Sequence, residues 1–408
     1  MESVDTVVVG GGQAGLAMSF HLTERHCEHV VLERARVAER WRTQRWDSLR
    51  FQFPNRTIEL PGFVYAGNSP QAFSHKDDVV RFIEDYASSF QAPIRTGANV
   101  ESLRASEQPG RYVVRTNQGV LSARNVVIAT GPYQRPKVPE ISGALPADVA
   151  QLHASDYRNP GALPAGAVLV VGSGGSGCQI ADELLEAGRR VYLSVGRHRR
   201  VPRRYRGHDF LDWFRLLGRF DRLVEDSPES RFRTAPAVIT GVNGGYDIDL
   251  RRSAADGLRL LGHLSGVDNG RATLAPDVEK TLREGDEAFD AFRRDVDEYV
   301  RAMGIDAPLQ QSDQRRAGTA ETVESPDVID FGAEAIRSVI WATGYAFDFG
   351  WIELPVFDEH RDPVHRRGVT AASGIYFLGL PWLYKAKSSF LSGVGEDAGF
   401  VAARIAGA

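Results

Sequence analysis

The stretch Thr6-Val7-Val8-Val9-Gly10-Gly11-Gly12-Gln13-Ala14-Gly15 decides how this chain is read. Thr6 to Val9 is β-branched and too apolar for a half-exposed strand, so it is expected to be a central parallel strand. After the glycines, Leu16, Ala17, Met18, Phe20 and Leu22 continue as an apolar helical pattern. In a strand–turn–helix unit of the form GxGxxG, the first glycine makes the tight turn and the second lets backbone N–H groups approach a pyrophosphate. The third lets the helix pack closely on the strand. Gly10, Gly12 and Gly15 fit these roles, with Gln13 and Ala14 in the turn and the positive helix start facing the diphosphate. Val30-Val31-Leu32 forms a second strand ending in Glu33-Arg34. Glu33 follows Gly15 at the spacing at which a carboxylate accepts the ribose hydroxyls of an adenosine.

The same grammar returns downstream. Val168 to Val171 leads into Gly172-Ser173-Gly174-Gly175-Ser176-Gly177, and a helix carrying Ile180, Leu184 and Leu185 stops at Gly188. The next strand, Val191 to Ser194, ends without an acid and is followed by Val195-Gly196-Arg197. A carboxylate there would repel a 2′-phosphate, whereas the Ser194 hydroxyl and the Arg197 guanidinium would hold one. The second turn is therefore expected to take NADPH in preference to NADH, and the first, acid-ended turn to take FAD. Six arginines fall between 197 and 206, more than one phosphate needs. Most are expected to be ion-paired or solvated, and which of them reaches the phosphate stays open.

The chain has 408 residues, 42% hydrophobic and 25% charged, with a formal net charge of −4. That length suits two to three domains, and that balance disfavours disorder and partners such as nucleic acid or an anionic membrane. No apolar run reaches transmembrane length. Met1 to Asp5 lacks a signal-like start, and a cytoplasmic protein is expected. The fold class expected is α/β, with two Rossmann-like dinucleotide-binding domains. The FAD domain comprises 1–158 and 335–408, and the NADPH domain, 165–334, is inserted and carries a largely helical insertion over 205–330. Asn159 to Gly166, dense in Pro and Gly, suits an interdomain crossing. Tyr112–Thr116 and Val126–Gly131 read as a meander returning to the first sheet, and Ser74 to Asp77 as a capping box. A helix beginning after Pro276 and ending at Gly304 has an apolar stripe that must cover the active site, the other domain or a partner subunit, so a homodimer is one option.

With these residues in view, the chain resembles the class B flavin-dependent monooxygenases: flavin-containing monooxygenases, YUCCA-type, N-hydroxylating and Baeyer–Villiger enzymes. The resemblance rests on the two glycine turns, on the Ala129-Thr130-Gly131 and Ala342-Thr343-Gly344 segments, and on Ile375-Tyr376-Phe377-Leu378-Gly379-Leu380. A linker fingerprint of the family survives in part between Ala147 and Tyr157. It keeps His153 and the aromatic Tyr157, while Ala147 and Val149 replace Phe and Gly; Tyr157 in place of Trp argues against the Baeyer–Villiger subclass. The resemblance implies that an amide side chain near flavin and nicotinamide falls at Gln52, with Asn55 as the second candidate; either could instead cap a turn. His153 has two readings, a structural linker histidine or a group that docks NADPH. Trp41, Trp46, Trp382 and Tyr384 either wall the isoalloxazine or pack the core, and a helix start after Lys385–Ser389 would aim its dipole at the flavin. Cys27 and Cys178 stand alone, which excludes a disulfide reductase, and no metal constellation is found.

The activity implied is hydride transfer from NADPH to FAD and capture of O2 as a C4a-(hydro)peroxyflavin. One oxygen atom then passes to a small-molecule nitrogen or sulfur centre, or to a ketone. A flavin oxidase or NADPH-dependent reductase of the same architecture, and a flavoprotein sensor without turnover, remain alternatives. The substrate pocket is expected to be shaped by 205–330.

Overall fold

Val7 and Val8 are fully buried, and so are Val168, Leu169 and Val170. Each such side chain contributes about 1.5–3 kcal/mol relative to exposure, which is why both runs sit in the middle of a sheet. In the computed structural model, which describes residues 1–226, 237–308 and 322–407, each run anchors one of two large sheets. In the first sheet, the strand Glu2–Val9 lies between His29–Glu33 and Gly119–Ile128, parallel to both. Ile94–Thr96 extends it beyond His29–Glu33. The ten-residue strand Gly119–Ile128 carries the antiparallel meander Tyr112–Thr116 and Val100–Ala105 on its first half, and Ile375–Phe377 in parallel on its second.

The second sheet is wholly parallel. Its order is Ala150–His153, Ile336–Trp341, Ala167–Val171, Val191–Ser194 and Arg259–Leu261. The chain thus leaves the first sheet after Ile128, touches its edge again where Ile352 bridges Leu103, and next contributes a strand to it at Ile375–Phe377. Helices Gln13–Glu24 and Gly175–Glu186 follow the two glycine turns.

The segment 205–330 departs from the largely helical insertion expected. Arg259–Leu261 is a strand of the second sheet, and Leu264–Asp268, Arg271–Leu274 and Val328–Asp330 form an antiparallel sheet of their own. The cause is a strict alternation, exposed Arg271 and Thr273 against buried Ala272 and Leu274, too short to stand out in a charged stretch. The expected long helix is present as Val278–Met303, closed by Gly304 at φ 61°. The buried part of its stripe packs within this chain, on the second-sheet core and on residues of 201–213. Val278 and Leu282 pack on the second-sheet core beside Leu258 and Leu260, and Phe292, Val296 and Val300 pack on Val201, Tyr205, Phe210 and Trp213.

The capping box is shifted by one residue. His75 Nδ1 accepts from the Asp77 N–H and the Asp78 carboxylate accepts from the His75 N–H, ahead of helix Lys76–Ser89. The last helix is Val394–Ala406, so it starts after Lys385–Ser389, with Phe390 to Gly393 in between. Among the described residues, no helix is long and apolar enough to cross a membrane.

Candidate functional site

The two glycine turns are built alike, atom for atom. Gly10 (φ 114°) and Gly172 (φ 106°) both have a conformation that L side chains rarely adopt. A Cβ on Gly10 would lie 2.5 Å from the Ala129 carbonyl oxygen, and one on Gly172 would lie 2.6 Å from that of Ala342. The two Ala-Thr-Gly segments therefore do the same job, each flooring one turn. They are held by the same bond, from Ala129 N–H to Val9 O and from Ala342 N–H to Val171 O, both 2.9 Å. At the third glycines, a Cβ on Gly15 or Gly177 would stand 1.8 Å from the oxygen of Gly10 or Gly172. By contrast, a Cβ on Gly12 would meet nothing within 4 Å.

Both following helices begin without a side-chain cap and without an acid in the first turn. Elsewhere in the chain Asp209 and Asp249 cap their helices by accepting backbone N–H groups. Uncapped first-turn N–H groups at a positive helix end form an anion site. Both open into one continuous cavity of about 1370 Å³, larger than the roughly 300–1,000 Å³ of a typical single-ligand pocket. Its wall includes Gly10, Gly12, Gln13, Ala14, Glu33 and Arg34 from the first unit, and Gly172, Gly174, Gly175, Ser176 and Arg197 from the second. Ala129, Thr130, Gly131, Ala342, Thr343 and Gly344 complete it between the turns.

At the strand ends the units diverge. The Glu33 carboxylate accepts from Gly11 N–H at 2.7 Å and from Ala35 N–H at 2.9 Å. Those bonds fix it on the cavity wall. Ser194 does not reach the cavity. It is buried, its hydroxyl donates to Gly262 O at 3.1 Å and accepts from Leu264 N–H at 3.0 Å. The neighbouring strand at 259–261, unforeseen in the sequence, is what draws it inward. Arg197 is exposed on the wall and His263 stands exposed there too. The other five arginines of 197–206 are committed: Arg199 over the Phe214 ring, Arg200 to Asp249 and Asp286, Arg203 to Asp209, Arg204 to the Gly244 and Gly245 carbonyls, and Arg206 to Asp297.

Gln52 is half-buried on the wall, its Oε1 4.0 Å from where a Gly175 Cβ would be. It therefore stands beside the second turn, and its carbonyl accepts from Arg203 at 2.6 Å. Asn55 is spent elsewhere. Its amide donates to Ser69 O at 3.0 Å, its oxygen accepts from Ser74 N–H at 2.7 Å, and it does not line the cavity. Trp41 and Trp46 line the cavity, whereas Trp382 and Tyr384 do not; Arg367 stacks on the Tyr384 ring at 4.2 Å. Gly379 (φ 76°) lies against helix residue Ala14, where a Cβ would come within 2.5 Å, while Leu380 is buried behind the wall. Of 205–330, only His263 is on the wall among the described residues; 227–236 and 309–321 of that segment lie outside them.

His153 lines the cavity but is almost fully buried. Its Nδ1 accepts from Ser155 N–H at 3.1 Å, so the proton sits on Nε2, which donates to Gly344 O at 3.0 Å. Burial lowers its pKa, and the neutral ring pins the second Ala-Thr-Gly segment. Tyr157, four residues on, is buried and donates to Glu183 at 2.8 Å. Three wall groups had no signal in the sequence. Gln134 bridges Thr130, Gly131 and Asp348 N–H. Arg45 lies 5.3 Å from the centroids of both Trp41 and Tyr133. Burial, with Arg34 next in effect, lowers the Arg40 guanidinium to about 10.

Residues 7–209 match the family model described as pyridine nucleotide-disulphide oxidoreductase. The chain is 33% identical over 404 residues to an uncharacterized CzcO-like oxidoreductase of Geobacillus kaustophilus, covering 98% of this chain and 97% of the other. It is 30% identical over 313 residues to indole-3-pyruvate monooxygenase YUCCA1 of Oryza sativa subsp. japonica, covering 73% and 76%. A flavin-containing monooxygenase from Stenotrophomonas maltophilia superposes with a TM-score of 0.65 at 20% identity, covering 100% of this chain and 99% of that one. The chain belongs to the class B flavin-dependent monooxygenase family, and it is an oxidoreductase.

Proposed function

We propose that the protein is an FAD-dependent, NADPH-consuming monooxygenase acting on a small-molecule nitrogen or sulfur centre, built as two Rossmann-like units with the NADPH unit inserted into the FAD unit. The observation that carries this reading is that two uncapped glycine turns, one acid-ended and one arginine-flanked, open into the same cavity. The residues fit the two cofactors. The space in front of Gly12 is open to a pyrophosphate, and Glu33 is already fixed as an acceptor for ribose hydroxyls. Arg197 and His263 offer donors, and no carboxylate, to a 2′-phosphate.

Bound in the first unit, FAD supplies a redox centre that takes a hydride from the nicotinamide and activates dioxygen. The chain supplies position and dryness. Ala129–Gly131 and Ala342–Gly344 hold the turns face to face, and Trp41, Trp46, Phe51 and Phe390 exclude water. Gln52 offers an amide donor to the oxygen under transfer. Small molecules and O2 are the partners of this chemistry.

The test is direct. Purified protein reconstituted with FAD should turn yellow and be bleached anaerobically faster by NADPH than by NADH. With air and a panel of amines and sulfides it should yield one oxygenated product per NADPH consumed. Stoichiometric H2O2 with every substrate would make it an oxidase, absence of bleaching would make it a sensor, and failure to take up FAD would overturn the reading altogether.

A further inference from the structure

Between its first two glycines each turn carries one further residue, Gly11 in the first unit and Ser173 in the second. In the first unit that residue must be small. Gly11 N–H donates to the Glu33 carboxylate, and a Cβ on Gly11 would stand 2.8 Å from the Glu33 Cβ. Glycine at this place is what lets the acid lie against the turn. The second unit has no acid between Val191 and Arg197 to accommodate, and a side chain occupies the place. Ser173 is almost fully buried, and its hydroxyl makes two bonds to a single residue. It donates to Gly196 O at 2.7 Å and accepts from Gly196 N–H at 2.9 Å.

A hydroxyl has one proton to give, and Ser173 gives it to Gly196 O. No donor is left for a nucleotide, although Ser173, Gly196 and Arg197 all line the cavity. The hydroxyl instead fastens the loop after strand Val191–Ser194 to the glycine turn. The flanks of that loop are fastened as well. Val195 is buried, and its N–H donates to Leu261 O at 2.9 Å. His198 is buried against the helix Val278–Met303 at Gly285, where a Cβ would come within 2.6 Å of its Nε2. Arg199 O accepts from Val238 N–H at 3.0 Å. Within 194–200 only Arg197 is exposed, and among the described residues its guanidinium has no hydrogen bond or ion pair. The backbone is thus held on both sides of one free cation.

We propose that Ser173 is a positioning residue for nucleotide choice: by clamping Gly196 it sets where the Arg197 guanidinium meets the 2′-phosphate of NADPH. Arg197 supplies the charge and Ser173 the fixed anchor, so an exposed arginine can bind without first ordering its own backbone. The proposal rests on the reading of the second turn as an NADPH site, and adds to it the residue through which the turn itself enters the choice.

Calorimetric titration of the FAD-loaded protein with NADP+ and with NAD+ measures binding without turnover. The unmodified protein should prefer NADP+. Ser173→Ala should weaken NADP+ about three- to tenfold, the usual effect of losing a hydrogen bond, and leave NAD+ unchanged. Ser173→Gly, which copies the first unit, should do the same and takes over where the alanine variant does not fold. In an Arg197→Ala background, Ser173→Ala should weaken NADP+ no further, because residues that act through one another do not add. Ser173→Ala weakening both nucleotides alike would overturn the proposal. So would unchanged NADP+ affinity, or full additivity with Arg197→Ala. Equal affinity for NADP+ and NAD+ in the unmodified protein is a separate failure, that of the NADPH reading itself, and would remove the proposal with it.

Discussion

At the end of the second strand of the first unit, Glu33 is clamped by two backbone N–H groups on the cavity wall. At the matching place in the second unit, Ser194 turns its hydroxyl into the core, and the wall is left to Arg197 and His263. Beneath this difference the two turns are alike in kind: a positive φ at the first glycine, an alanine carbonyl below it, the same collision forbidden at the third. On the proposed reading, the recognition of a diphosphate is written in backbone and repeated, whereas the choice between nucleotides is written in side chains at one strand end and is not repeated.

The largest effect is expected from breaking the part the units share. A methyl on Gly15 or Gly177 would stand 1.8 Å from a carbonyl oxygen, and overpacking of this kind costs about 1–3 kcal/mol or more. Gly15→Ala should purify without flavin. Gly177→Ala should keep its flavin yet be reduced by NADPH about tenfold more slowly or worse, read by absorbance and stopped-flow bleaching. The opposite pattern would exchange the cofactors between the turns.

A smaller effect should sharpen what differs. Arg197→Ala should weaken NADPH about tenfold while leaving NADH unchanged, since a hydrogen bond to a charged group is worth about 1.5–3 kcal/mol. Ser194→Ala should leave the NADPH-to-NADH ratio alone and lower the melting temperature instead, because it orphans the Leu264 N–H. Equilibrium titration with each nucleotide and thermal denaturation separate the two roles.

The smallest effect concerns the pin on the second Ala-Thr-Gly segment. Burial lowers the pKa of His153 below its usual 6.5, so the unfolded chain takes up that proton first as the pH falls. The stability His153 contributes is whole above pH 6.5 and is lost as the pH drops toward its folded value. His153→Gln should make the fall in melting temperature below pH 6.5 shallower. An unchanged slope would mean that His21, His29 and His198, also lowered by burial, carry the effect.

The glycine turns, both flanking strands and Glu33 were legible in the sequence because their demands are local: a positive φ, a missing Cβ, a fixed offset. The direction in which a polar side chain faces was not legible. Ser194 and Asn55 both stand where a cofactor contact is expected, and both are claimed by neighbours far away in sequence, Gly262 and Leu264 for one, Ser69 and Ser74 for the other. Conversely His263 reaches the wall because its loop follows a strand whose three residues, Arg259–Leu261, are too few to announce themselves. Gln134 has no motif at all; its role exists only once Thr130, Gly131 and Asp348 are brought together.

The outgoing and returning passes between the two large sheets are laced to each other. Arg135–Pro136 pairs with Tyr345–Ala346, and Lys137 N–H bonds to Gly344 O at 2.9 Å. Mechanically, two ropes tied side by side behave as one axle. A displacement of either pass is therefore shared by the other at these few residues, one of which, Gly344, also lines the cavity.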